Sequence, residues 1–174
     1  SLRSKKSSFI GLLVPDVANE FFASLARSIE QFLHNAGYSL FLCNTMESPE
    51  AENRYVESLL DHQVMGIILV SAGLKRHPRV QREKTPIVFV DRVGADIDLP
   101  HRVIIESDNK KGGALAAEAL FQRGVERFMF LGDERSMHHM REREHGFFEA
   151  LRARGVPRAR TAKAAVSVSS GNAR

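Results

Sequence analysis

Cysteine and long apolar runs are scarce in this sequence, and their scarcity excludes several classes of protein. Its 174 residues include one cysteine, so the chain forms no internal disulfide. The apolar run that contains this residue, Cys43, predicts a core position rather than a reactive one. No apolar run approaches the roughly 18 to 20 residues that span a bilayer, and the N-terminus lacks the apolar stretch of a secretory signal. We therefore expect a cytoplasmic protein with no membrane partner.

The motifs of the common cofactor-dependent enzymes are also missing. The first apolar strand is followed by Pro15 and Asp16 instead of a glycine-rich phosphate loop, and no serine lies in a nucleophile elbow. His138, His139 and His145 have no acidic or cysteine partners at ligand spacing, so we interpret them as a solvated helix start. The sequence thus predicts no catalytic residues, no metal and no cofactor, and we do not expect an enzyme.

Positive charge is spread through the chain rather than concentrated. The formal net charge is +4, but acidic and basic residues are interleaved through most of the sequence. Two basic clusters remain, over residues 3–6 and 152–160. The second falls at a predicted helix end, where cations are favourable and ordinarily solvated. The globular body is therefore not predicted to bind nucleic acid.

Apolar strands alternate with amphipathic helices along the whole chain. The predicted strands cover residues 9–14, 38–43, 66–70, 87–90, 103–105, 128–131 and 164–168. The predicted helices cover residues 19–36, a segment that begins at Ser48-Pro49, residues 109–122 and residues 137–152, with stops at Gly37, Gly124 and Gly155. The connection between Val70 and Ile87 has little helical periodicity and is expected to be short or partly disordered. Continuously apolar strands joined by helices indicate the α/β class, with a doubly wound parallel sheet covered on both faces.

Two predicted helices carry residues whose role can be read in two ways. Gly112 and Gly113 favour close helix packing over the approach of a phosphate. Arg141 and Arg143 lie near a helix start, where a cation is unfavourable unless something negative or polar lies opposite. One of these arginines either reaches a ligand or pairs along the helix, three or four positions away, with Glu144 and its neighbours.

Polar and aromatic side chains gather where strands of the predicted sheet end. Asn19, Phe21 and Phe22 open the helix after the first strand, and Asp91 and Arg92 directly follow the fourth. Ligands of doubly wound sheets bind at this edge. A carboxylate and a guanidinium together accept from and donate to neighbouring hydroxyls, while aromatic rings stack on the apolar face of a sugar. A local salt bridge is the alternative for the charged pair.

Taken together, these segments resemble the lactose-repressor family of bacterial transcription regulators. The matching segments read Ile-Gly-Leu-Leu-Val-Pro-Asp with Asn-Glu-Phe-Phe, Gly-Tyr-Ser-Leu-Phe-Leu-Cys-Asn-Thr, Val-Met-Gly-Ile-Ile-Leu-Val, Pro-Ile-Val-Phe-Val-Asp-Arg, Ser-Asp-Asn with Gly-Gly, and Arg-x-x-x-x-Gly-Phe. The resemblance covers nearly all of the chain. Each segment alone is weak, but their order and spacing are specific. The effector domain of this family is similar to periplasmic sugar-binding proteins, so the resemblance implies two lobes of periplasmic-binding-protein type around a cleft.

The resemblance also implies a division of the chain and a set of effector contacts. Residues 1–7 would be the remnant of a linker to a missing helix-turn-helix domain, residues 8–124 the first lobe, and residues 125–174 the start of an incomplete second lobe. The implied effector-binding residues are Asn19, Phe21, Phe22, Ser71, Asp91, Arg92 and Arg141.

The function implied is that of a small-molecule sensor. A sugar or sugar derivative would close the lobes and shift their relative angle at the interface of a homodimer. This shift would control binding to operator DNA through the missing N-terminal domain. The basic residues before the first strand resemble the end of a regulator's linker. The alternative in the same superfamily is a periplasmic sugar receptor of a transport system.

Overall fold

Parallel strand pairing organises this chain. A computed structural model describes residues 8–73, 78–82, 85–92, 103–133 and 137–166. The chain divides into two compact units between Ile105 and Glu106. Each unit contains parallel strands joined by helices, so the predicted α/β class is confirmed.

The first unit is built on a five-stranded sheet with the strand order β2-β1-β3-β4-β5. The strands are β1 (Phe9–Val14), β2 (Ser39–Asn44), β3 (Gly66–Leu69), β4 (Ile87–Val90) and β5 (Val103–Ile105), and the helices are α1 (Glu20–Asn35), α2 (Pro49–Asp61) and α3 (Pro78–Arg82). Every neighbouring strand pair is parallel. The strands therefore all end at one edge, and the loops after β1 to β4 lie side by side there.

Both faces of the central strand β1 are buried. Leu12 and Leu13 are neighbours in a strand, so they point to opposite faces, and both are fully buried. Leu13 belongs to a core cluster with Val56 and Leu59 of α2, whereas Leu12 packs in a cluster with Phe22 of α1. This two-sided burial explains the uninterrupted apolar run in β1.

The two edge strands are less covered than the sequence predicted. Leu42 of β2 and Ile105 of β5 are exposed. The prediction of a sheet covered on both faces therefore holds for the central strands and is wrong for these edge positions. Cys43 packs against the core on the α2 side, as predicted, and its burial raises the pKa of the thiol.

The second unit contains a parallel strand pair and two long helices. Its elements are α4 (Asn109–Gln122), β6 (Phe128–Asp133), α5 (His138–Ala153), a 3₁₀ turn (Arg158–Arg160) and β7 (Thr161–Val166). Strands β6 and β7 pair in parallel. Ala117, Phe128, Phe147 and Leu151 form the buried core of this unit.

Helices α4 and α5 approach each other closely at two glycines. A Cβ atom added at Gly113 would overlap the carbonyl oxygen of Arg143, and one added at Gly146 would overlap that of Lys110. Nothing lies within 4 Å of a Cβ atom built at Gly112. The predicted packing role is thus confirmed for Gly113 but not for Gly112.

This close approach places the division of the chain earlier than predicted. The sequence put the boundary after residue 124, which would have grouped α4 with the first unit. Because α4 packs against α5, the compact units separate between Ile105 and Glu106 instead. The predictions for residues 1–7 and 167–174 lie outside the described residues.

Most helix ends lie close to where the sequence predicts them, but three other predictions differ from the structure. The connection before β4 contains α3, which Arg79 ties to α2 by ion pairs of 2.6 Å to each of Glu57 and Asp61. Strand β7 begins at Thr161, three residues before the apolar pattern, because it pairs with β6 from that point. His139, predicted to be solvated, is buried at the start of α5.

None of the described helices combines the length and apolar character needed to cross a membrane.

Candidate functional site

The loop after β1 is held by its own polar side chains. Asn19 caps α1 with an extended backbone (φ −74°, ψ 122°), and its Oδ1 accepts a hydrogen bond of 3.0 Å from the backbone N–H of Phe21. Asp16 Oδ1 accepts from the N–H of Ala18 at 2.9 Å. Asn19 is therefore exposed at the sheet edge in an orientation that capping fixes.

The two phenylalanines that follow have different surroundings. Phe21 is 56% exposed, whereas Phe22 is 3% exposed and belongs to the core. Their rings meet edge to face, with centroids 5.2 Å apart. Phe21 thus has a ring face open to a ligand, while Phe22 supports it from below. Helical spacing places Phe22 with the apolar residues Leu25 and Ile29 of α1, although both rings are predicted effector contacts.

Arg92 occupies the centre of the edge after β4. Its Nη1 donates to both carboxylate oxygens of Glu47, at 3.0 and 2.9 Å, and its Cζ lies 5.2 Å from the ring centroid of Phe22. Asp91 lies beside it, with 3.9 Å between Asp91 Oδ2 and Arg92 Nε. The local salt bridge weighed from the sequence is therefore too long for a hydrogen bond, and the close partner of Arg92 is Glu47.

Glu47 is a residue that the sequence analysis missed. It lies in the loop after β2, and its backbone N–H donates to the carbonyl of Pro15 at 3.0 Å. Both Glu47 and Asp91 have left-handed backbones, with φ of 56° and 61°. The position of Glu47 in the sequence could have indicated it, because the loop after β2 of a parallel sheet reaches the same edge as Asp91 and Arg92.

Ser71 shapes this edge from within. It is fully buried, and its hydroxyl donates to Glu52 Oε1 at 3.0 Å. The backbone N–H of Ala72 donates to the other oxygen of Glu52, and that of Gly73 donates to Ser71 Oγ at 3.1 Å. Ser71 was predicted as part of the cleft wall, and its hydroxyl is already used inside the unit. Glu52 was not predicted, although it is a carboxylate on the buried face of α2.

Arg141 lies in the second unit, so it is not part of the geometry that joins the other predicted residues. It is exposed in the first turn of α5. The ion pairing with Glu144 considered for these arginines is not what the structure shows, because Glu144 pairs with Lys163 at 2.8 Å. Arg143 Nε instead donates to Asn109 Oδ1 at 2.8 Å, joining α5 to α4.

One carboxylate at the start of α2 has a shifted pKa. The pKa of Glu50 is lowered, first by a hydrogen bond from its own backbone N–H and then by one from the Ser48 hydroxyl. No group of three or more His, Cys, Asp or Glu side chains among the described residues could hold a metal ion. A cavity of about 570 Å³ beside α5 and β7 contains none of the predicted residues. The described arrangement suits hydrogen bonding to a polar organic ligand.

The chain matches a known family. Residues 7–170 match the family described as periplasmic binding proteins and sugar binding domain of the LacI family. The chain belongs to this family, and the resemblance seen in the sequence is confirmed.

The relatives of this chain are transcription regulators. It is 34% identical to a ribose operon repressor of Halalkalibacterium halodurans over 90% of this chain and 46% of that protein. It is 38% identical to a sucrose operon repressor of Lactococcus lactis subsp. lactis over 77% of this chain and 41% of that protein. The chain therefore spans less than half the length of these two repressors.

A solved structure confirms the architecture. The periplasmic binding protein/LacI transcriptional regulator from Alkaliphilus metalliredigens, complexed with D-xylulofuranose, is 29% identical with a TM-score of 0.82. The match covers 95% of this chain and 59% of that one. The chain thus has the periplasmic-binding-protein-like fold of LacI-family effector domains.

Proposed function

We propose that this chain is the effector-binding part of a LacI-type transcription regulator, and that its effector is a sugar or sugar derivative. The observation that carries the proposal is the cluster at the carboxyl edge of the first unit. Asn19, Phe21, Asp91 and Arg92 come from two loops that the parallel sheet brings to one edge. The relatives named as ribose and sucrose operon repressors support the same reading.

Each group at the edge has a chemical role in sugar binding. The exposed ring of Phe21 would stack on the C–H face of a sugar, and Asn19 would bind a hydroxyl with the part of its amide that does not cap the helix. Asp91 would accept from sugar hydroxyls and Arg92 would donate to them. Phe22 would hold the guanidinium of Arg92 in place. Arg141, in the first turn of α5, stays a predicted effector-binding residue.

The regulatory step belongs to the longer protein. The first unit would be the first lobe and residues from Glu106 onward would belong to the second lobe. Effector binding would favour a closed arrangement of the lobes and so shift a homodimer between states that bind operator DNA differently. This action would take place in the cytoplasm, through an N-terminal DNA-binding domain, and would leave the effector chemically unchanged.

A thermal-shift screen of the full-length protein tests the effector site. The ligands are pentoses, hexoses, sucrose, sugar phosphates and nucleosides, each with the wild type and with Asp91→Ala and Arg92→Ala. A ligand at 100 times its Kd should add about 2.7 kcal/mol to the free energy of unfolding. We expect a sugar to raise the melting temperature of the wild type and to lose this effect in both variants.

Arg27→Ala is the matched control, because this exposed arginine lies further along α1. It should keep the full shift. Circular dichroism establishes that each variant is folded. A folded wild type that responds to none of the ligands would contradict the proposal, and so would a shift that survives both site substitutions.

A further inference from the structure

The guanidinium of Arg92 is neutralised before any ligand arrives. Nη1 donates to both oxygens of Glu47 at 3.0 and 2.9 Å, and the two side chains are 13% and 23% exposed. An ion pair this close and this buried is held by charge-assisted hydrogen bonds. An anionic ligand would have to compete with Glu47 for this cation, whereas a neutral ligand would not.

The helix starts at this edge already use part of their N–H groups within the protein. At α1, Asn19 Oδ1 accepts the N–H of Phe21. At α2, Ser48 Oγ accepts the N–H of Ala51 at 3.1 Å. Backbone N–H groups at helix N-termini are the usual donors for phosphate. Here the protein's own oxygen atoms already use one of these donors in each helix.

Arg92 keeps one N–H donor that its described neighbours do not satisfy. Arg92 Nε is buried and has no hydrogen-bond acceptor among the described residues. The nearest oxygen of Asp91 is 3.9 Å away, beyond hydrogen-bond range. A sugar hydroxyl can accept from a guanidinium and donate to a carboxylate at the same time. An ionised phosphate oxygen can only accept, and Asp91 would repel it.

We propose that the site selects an uncharged, hydroxyl-rich ligand over its phosphorylated form, and that Glu47 sets this preference by occupying Arg92. The inference rests on the proposed effector site and names the class of ligand that this site accepts. Asp16, Glu47 and Asp91 are the carboxylates described in the loops at this edge, and Arg92 is the cation between two of them. The carboxylates of Glu47 and Asp91 beside Arg92 act in the same direction as the occupied donors.

The test compares each sugar with its own phosphate ester in phosphate-free buffer. Isothermal titration calorimetry with the full-length protein would use D-ribose with ribose 5-phosphate, D-glucose with glucose 6-phosphate, and D-fructose with fructose 1-phosphate. We expect the wild type to bind a neutral sugar at least about tenfold more tightly than its ester, since like charges brought together across an interface are costly. Glu47→Gln should reduce this ratio by about tenfold or more, because it removes one charge and releases Arg92.

Glu50→Gln is the matched control. It removes the same charge from a residue three positions away, and the described partner of Glu50 is Ser48 rather than Arg92. We expect it to leave the ratio within about twofold, as for a screened surface charge. If Glu47→Gln does not fold, Glu47→Asp keeps the charge but is too short for the same pair, and it should also lower the ratio.

The outcomes separate this inference from the proposed function. Tighter binding of a phosphate ester by the wild type would overturn the selectivity and leave the sugar site standing. Equal effects of Glu47→Gln and Glu50→Gln would overturn the specific role of Glu47. No binding of any sugar or ester would withdraw the effector site and the inference together.

Discussion

At the scale of single residues, Glu52 fixes the loop that follows β3. Its carboxylate is fully buried on α2 and accepts hydrogen bonds from the Ser71 hydroxyl, at 3.0 Å, and from the Ala72 backbone. Burying a carboxylate is costly unless its oxygen atoms are hydrogen-bonded. These bonds join α2 to a loop nineteen positions further along, measured from Glu52 to Ser71. The edge of the candidate site therefore depends on a side chain that no ligand needs to touch.

Glu52→Ala should lower the free energy of unfolding by about 2 kcal/mol or more, because the buried donors of Ser71 and Ala72 lose an acceptor. Glu52→Gln should cost less, since it keeps one acceptor oxygen. Urea unfolding followed by circular dichroism measures both. Glu50→Ala, on the same helix but exposed, should lower the free energy of unfolding much less, because its charge near the helix start is solvated. Equal losses for Glu52→Ala and Glu50→Ala would show that the buried bonds contribute nothing.

At the scale of secondary-structure elements, the packing of α4 on α5 defines the second unit. Gly113 and Gly146 bring each helix against the backbone of the other, at the carbonyls of Arg143 and Lys110. Arg143 adds a hydrogen bond to Asn109, and Lys110 pairs with Glu149 at 2.8 Å on the surface. Both positions lie within helices. They need glycine because a Cβ atom at either one would overlap the facing carbonyl.

Gly113→Ala should destabilise the protein by about 1–3 kcal/mol, the usual cost of overpacking, because the new methyl group pushes α5 away from α4. Gly112→Ala is the control on the same helix. It meets no atom within 4 Å and should be neutral or stabilising by up to about 1 kcal/mol through helix propensity. Thermal unfolding of the two variants under identical conditions decides the matter. A loss at Gly112→Ala as large as that at Gly113→Ala would contradict the packing explanation.

At the scale of the whole molecule, the parallel sheet assembles one edge from loops that are distant in sequence. The loops after β1, β2, β3 and β4 contribute Asn19, Glu47, Ser71 and Arg92 to this edge. Hydrogen bonds join the loops in pairs, Glu47 to Pro15 and the backbone of Ser71 to that of Arg92. A ligand at the edge should therefore affect several segments at once.

Hydrogen exchange measured by mass spectrometry should show this grouping. With a saturating sugar found by the thermal-shift screen, we expect slower exchange at short times in peptides that contain residues 19–22, 45–48 and 91–92. Peptides around Ser39 and Gly66 begin β2 and β3 at the opposite edge and should exchange at unchanged rates. Ligand protection confined to one segment, or equal at both edges, would be inconsistent with binding at this site.

Local sequence patterns predicted most of the helices and strands and the α/β class. Apolar runs located β1 and β4 to the residue, and the cap at Ser48 and the stop at Gly124 marked helix ends, since these signals depend on neighbours in the chain. Parallel pairing followed from the alternation of strands and helices. It also placed Asn19, Asp91 and Arg92 at one edge of the sheet.

Tertiary structure alone decided which of these side chains meet. Arg92 pairs closely with Glu47 rather than with its neighbour Asp91, because loops with left-handed residues turn Glu47 toward it. The division at Ile105 follows from the contact between α4 and α5. Such contacts join residues far apart in the chain, and they depend on the three-dimensional paths of the loops and helices rather than on any local pattern.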